Sequence, residues 1–125
     1  MIRAKDHVAD LIKSCKFSRN EIILATEGEC MFFAVALHNI VNEIDAEFAT
    51  AIGTCDSWHH IMLRRGRIYY DIQGRVLAKF IHAKYGSHRM KRLSKDDLFS
   101  ANDLRTGKAR TTIGKWQKRI NARTE

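Results

Sequence analysis

Cys30, His60 and Asp71 are the residues in this chain whose types and settings suit chemistry. Cys30 opens the apolar run Cys30-Met31-Phe32-Phe33-Ala34-Val35-Ala36-Leu37. A thiol in the first turn of a helix feels the positive end of the helix dipole, and a nearby imidazolium lowers its pKa further. The thiolate is the nucleophile. A histidine beside a carboxylate makes a general base, because the carboxylate selects the imidazole tautomer and stabilises the protonated ring. Glu27 and Glu29 oppose the thiolate if their side chains point at the sulfur, so the ion pair with His60 must dominate.

These three side chains meet only if particular elements hold them. His59 to Gly74 contains two runs rich in β-formers around a basic turn with Gly66, which predicts a β-hairpin. With a turn at Arg65-Gly66, or over 64–67, His60 falls directly opposite Asp71; a three-residue loop would bring His59 there instead. Alternation then places Ile61, Leu63, Ile68, Tyr70, Ile72 and His59 on a core surface, and His60, Met62, Tyr69 and Asp71 on the other. Thr26-Glu27-Gly28-Glu29 has the form of a capping box, predicting a buried central helix from Cys30 to Ile44.

Around this centre, Val8, Leu11, Ile12 and Cys15 mark an amphipathic helix over about 6–16, which makes Cys15 a core residue. Ala46 to Ile52 predicts a strand closed by Gly53, and 54–57 a loop. After the hairpin, Val76, Leu77, Phe80, Ile81 and Lys84 step at helical spacing to Gly86. Ser94-Lys95-Asp96-Asp97 is a further helix start. Ile113, Trp116 and Ile120 form the apolar stripe of a last helix bearing Lys115, Lys118, Arg119 and Arg123.

Gly28 to Leu37, followed by His60-Ile61-Met62-Leu63 and Tyr69-Tyr70-Asp71-Ile72-Gln73-Gly74, resembles compact papain-like and transglutaminase-like proteins in which Cys, His and Asp follow in that order. The resemblance covers about 27–74. It implies an α+β fold: a papain-like core whose central helix carries the Cys at its N-terminal end, packed on a small antiparallel sheet whose neighbouring strands bring His60 and Asp71. It implies a cysteine hydrolase or acyl transferase acting on an amide (protease, deamidase or transglutaminase-like) through an acyl-thioester. Papain-like proteases place a Gln before the Cys as an oxyanion donor; Ile22-Ile23-Leu24-Ala25 has none, which leaves the Cys30 N–H with Asn20 or Thr26 as alternatives.

The 125 residues, 45% hydrophobic and 29% charged, suit a single domain, with a core over 1–83 and a basic, helical extension over 84–125. Lys and Arg balance Asp and Glu at ten each in 1–83, whereas 84–125 holds twelve against four, so the excess behind the net charge of +8 lies there. Such a segment attracts nucleic acid, an acidic protein or an anionic surface, or simply stays solvated. A non-enzymatic binding module using 84–125 is the rival reading. Three widely spaced cysteines fit neither a disulfide framework nor a four-thiolate zinc site, though Cys30, Cys55, His59 and His60 compete as nitrogen and sulfur ligands. With no signal-like or membrane-length apolar stretch, the expectation is a cytoplasmic protein without metal or cofactor, acting on a protein or peptide substrate and not at a membrane.

Overall fold

The structure, a computed structural model, describes residues 6–42, 45–102, 104 and 106–122; Ile44 and Arg123, expected in helices, lie outside them. The first helix, α1 (His7–Cys15), starts where Asp6 accepts the Ala9 N–H at 3.0 Å, and it buries Val8, Ile12 and Cys15 as its spacing requires. A helix the periodicity did not reveal follows, α2 (Arg19–Glu27). Ser18 and Glu21 cap it reciprocally: the Glu21 N–H donates to Ser18 Oγ at 3.2 Å, and the Ser18 N–H donates to Glu21 Oε1 at 2.9 Å.

The capping box expected at Thr26 to Glu29 does not form. Thr26 sits in the last turn of α2, where its hydroxyl donates to the Ile22 carbonyl at 2.7 Å. The central helix α3 (Cys30–Val41) begins after Glu29 with no side-chain cap and ends earlier than expected, at Asn42 in the left-handed region (φ 47°). Asn tolerates that conformation better than most residues.

A five-stranded antiparallel sheet follows in the order β4-β3-β2-β1-β5: β1 (Ala46–Ile52), β2 (Trp58–Arg65), β3 (Ile68–Asp71), β4 (Gly74–Val76) and β5 (Arg89–Leu93). Between β1 and β2 the loop carries a short helical turn, Thr54–Asp56. The β2–β3 turn is Gly66-Arg67, with Gly66 at φ 60° supplying the left-handed backbone. Arg65 therefore opposes Ile68 and Leu63 opposes Tyr70, two residues away from the expected register. A displacement of two preserves the alternation, so Ile61, Met62, Leu63, Tyr69, Tyr70 and Asp71 stay on their expected faces, whereas His59, expected on the core surface, falls in a β-bulge between the Ala51–His60 and Ile52–Trp58 pairs. Gly74 starts β4 where the hairpin was expected to end, and Val76 is strand, so α4 (Ala78–Tyr85) begins later than its spacing suggested.

On one face Phe48, Ile61, Leu63, Tyr70, Ile72 and Leu93 pack under α1, α3 and α6 (Gly107–Asn121). Phe17, Phe33 and Trp116 meet edge to face there, with centroids 5.3 to 6.1 Å apart. Trp116, Ile113 and Ile120 are core, as their stripe predicted. On the other face Ala51 and Met62 pack under Ile81 of α4. The last third is thus not a purely helical extension: β5 pairs with β1 and α6 lies on α3, with α5 (Lys95–Asn102) between them. Ser94 and Asp97 cap α5 in both directions, as that sequence predicted. Six helices and five antiparallel strands, counted among the described residues, define an α+β architecture.

Candidate active site

His60 pairs with Ala51 across β1 and β2, so alternation puts it with Met62 on the face covered by α4. Asp71 ends β3 on that same face. Continuing the register makes Asp71 the neighbour of Met62, and His60 its diagonal neighbour, not its direct partner. The diagonal suffices: His60 Nε2 and Asp71 Oδ2 lie 2.9 Å apart, with the residues 1% and 3% exposed. Asp71 Oδ1 accepts the Gln73 N–H at 2.8 Å, a tight local turn completed by Gly74 at φ 95°. His60, not His59, is the partner of Asp71. His59 instead reaches the Tyr85 carbonyl from Nδ1 at 2.6 Å and Ser57 Oγ from Nε2 at 2.9 Å.

With Nε2 occupied, Nδ1 of His60 is buried without a hydrogen-bond partner among the described residues. The Cys30 thiol is close enough to the imidazole for each to act on the other's protonation. Burial pushes the Cys30 thiol up, but the His60 imidazole and the backbone N–H groups of Ile61 and Met31 outweigh it, so the thiol lies below its ordinary value. His60 responds in the opposite sense. Burial pulls it down, yet Asp71 and Cys30 together raise it from 6.5 to about 8. A lowered thiol beside a raised imidazole shifts both groups toward their charged forms.

The helix that carries Cys30 supplies part of this field. Without a side-chain cap on α3, the first-turn N–H groups from Cys30 onward have no acceptor within the helix. The link from α2 is only Gly28-Glu29, and both their N–H groups donate to the Leu24 carbonyl, at 3.1 and 2.9 Å. The Glu29 carboxylate turns away to accept the Trp116 indole N–H at 2.9 Å, so one of the two opposing carboxylates is held elsewhere. The central helix packs on the sheet face opposite His60, and Cys30, its first residue, acts on the imidazole.

The alternative oxyanion donors fare differently. The Thr26 hydroxyl is spent on α2 carbonyls, and Asn20 is exposed in the first turn of α2. Cys15 is buried with its sulfur toward the Leu11 and Ile120 carbonyls, at 3.3 and 3.8 Å. His38 stacks on Phe48 and meets the Ala46 carbonyl at 3.2 Å, a packing role. Among the described residues, which exclude the Cys55 side chain, no group of three or more His, Cys, Asp or Glu side chains is placed to hold an ion. No helix among them is long and apolar enough to cross a membrane.

Two residues at the site carried no expectation. Gln73 is readable locally, since an Asp two residues ahead of a free N–H, followed by Gly, favours such a turn. Tyr85 is not: its ring lies on His60, with centroids 4.5 Å apart, from 25 positions down the chain. No family model, curated protein or solved structure matches the chain.

Proposed function

We propose that the chain is a papain-like thiol hydrolase or acyl transferase that acts on an amide through Cys30, His60 and Asp71. The observation that carries this is the buried Asp71–His60 pair, whose remaining ring nitrogen is left to a thiol with lowered pKa at a helix N-terminus. The Cys30 thiolate attacks the carbonyl carbon, forming a C–S bond while the carbonyl π-pair moves to oxygen. The Cys30 backbone N–H is a donor to that oxyanion, at the positive end of α3. Imidazolium His60 gives its proton to the leaving amine as the C–N bond breaks, and a thioester remains. Water or a second amine then attacks the thioester with His60 as base, and the thiolate departs. Asp71 holds Nε2 throughout. A protein or peptide is the substrate class this chemistry suits.

Site-resolved iodoacetamide labelling tests the reading. Cys30 is expected to react at pH 6 while Cys15 does not, and His60→Ala to suppress it. A Cys30 as inert as Cys15 would overturn the proposal.

One observation favours a second reading, a binding module. Helix α6 holds Lys108, Arg110, Lys115, Lys118 and Arg119 and no acidic residue, and among the described residues Arg119 pairs with Glu21 at 2.7 Å. Oligonucleotide binding that weakens steeply with salt, together with an inert Cys30, is the outcome that selects it.

A further inference from the structure

His60 has an aromatic neighbour that no step of the proposed reaction uses. Tyr85 closes α4, and its ring lies nearly parallel to the imidazole, with an interplanar angle of 11° at 4.5 Å. Both ends of Tyr85 are fixed. Its hydroxyl donates to the Thr26 carbonyl at 2.9 Å, four residues before Cys30, and its own carbonyl meets His59 Nδ1 at 2.6 Å, the residue before His60. Gly86 follows at φ 67° and turns the chain away toward β5. One residue is thereby tethered both to the segment that leads into the nucleophile and to the strand that carries the base.

We propose that Tyr85 is a positioning residue, whose stacked ring fixes the rotation of the His60 imidazole and favours its protonated form; this rests on the Cys30–His60–Asp71 reading. A parallel stack resists rotation of the imidazole, which keeps Nε2 on Asp71 and Nδ1 free for the thiol. The electron-rich face of the phenol attracts the imidazolium, most strongly where water is excluded. The charged groups around the ring act together: Asp71 from the end of β3 and Cys30 from α3 favour the cation. Lys84 of α4, with Nζ 5.3 Å from the Tyr85 centroid, draws on the same π-cloud. Glu27 of α2 acts on the phenol electrostatically, and burial, Asp71 and Cys30 all hold that phenol above its ordinary range, so the ring stays neutral. His59 lies beside them on β2.

The test is an NMR titration of the His60 ring in the full chain, comparing wild type with Tyr85→Phe, Tyr85→Leu and Tyr85→pentafluorophenylalanine. Phenylalanine keeps the ring face, so its midpoint stays with that of wild type. Leucine removes the face and lowers the midpoint by roughly half to one pH unit, a threefold to tenfold loss in proton affinity. The fluorinated ring fills the same space with its quadrupole reversed, so it lowers the midpoint even if the leucine variant does not fold. A fluorinated variant that titrates with phenylalanine overturns the proposal. The two readings fail separately. If Cys30 labels at pH 6 but the midpoint ignores the ring, only the role of Tyr85 falls; if the midpoint follows the ring but Cys30 is inert, the reaction falls and the stack stands.

Discussion

Replacing Asp71 by Asn changes one charge at a fully buried pair and keeps its shape. The Asn oxygen still accepts the Gln73 N–H, while its amide N–H₂ faces His60 Nε2 and donates to it. The ring proton is then forced to Nδ1, the nitrogen needed to accept a proton from Cys30. In the native chain His60 is raised from 6.5 to about 8, which corresponds to about 2 kcal/mol. Because the folded value is the higher, this stability is fully present below pH 6.5 and is lost as pH rises through about 8. Cys30 titrates with the opposite sign: its folded value is depressed, so its contribution is present above the ordinary thiol value and lost as pH falls through the folded one. Cys30→Ser removes that opposing trend, along with the part of the His60 rise that the thiol supplies. Urea unfolding followed by the fluorescence of Trp58 and Trp116 at pH 6, 7 and 8.5 then isolates the imidazole. Cys30→Ser is expected to lose about 1 to 2 kcal/mol across that range. Cys30→Ser with Asp71→Asn is expected to lose none of it, since burial, no longer opposed, keeps the ring neutral. An equal loss in both variants would refute the carboxylate as the group that holds the proton.

Trp116 and Gly86 offer independent checks. Trp116→Ala is expected to lower stability by about 3 to 5 kcal/mol through the cavity it leaves beside Phe17 and Phe33. Trp116→Phe fills most of that space and loses mainly the bond to Glu29, about 1.5 to 3 kcal/mol; it also frees Glu29, so slower labelling of Cys30 at pH 6 accompanies the shift in urea midpoint. Gly86→Ala places a Cβ at φ 67° and is expected to cost about 1 to 2 kcal/mol by the same unfolding assay, whereas Gly28→Ala, at φ −142° with open space around it, stays within about 0.5 kcal/mol.

What the sequence determined by itself is whatever depends on neighbours along the chain. The spacing of Val8, Ile12 and Cys15, the run of Ala46 to Ile52, and the stripe of Ile113, Trp116 and Ile120 each select a buried face, because period and side-chain type are local properties. The alternation of the hairpin likewise brought His60 and Asp71 to one face, and that survived a register two residues from the expected one because the strand period is two. Ser18-x-x-Glu21 was an equally local sign of α2. It resembles Thr26-x-x-Glu29 closely, and one tertiary and one local contact separate them: Glu29 is claimed by the Trp116 indole 87 positions away, and Thr26 by the helix it sits in. Tertiary structure also decided which sheet face α3 covers, that β5 closes the sheet beside β1, and that Tyr85 lies on His60. Strand partners distant in sequence and stacked rings leave no periodic trace, since their energy arises only once the chain has brought them together. The proposed site is divided in the same way: the apolar run marks the helix that Cys30 opens, whereas the neighbours of its first turn are set by the fold.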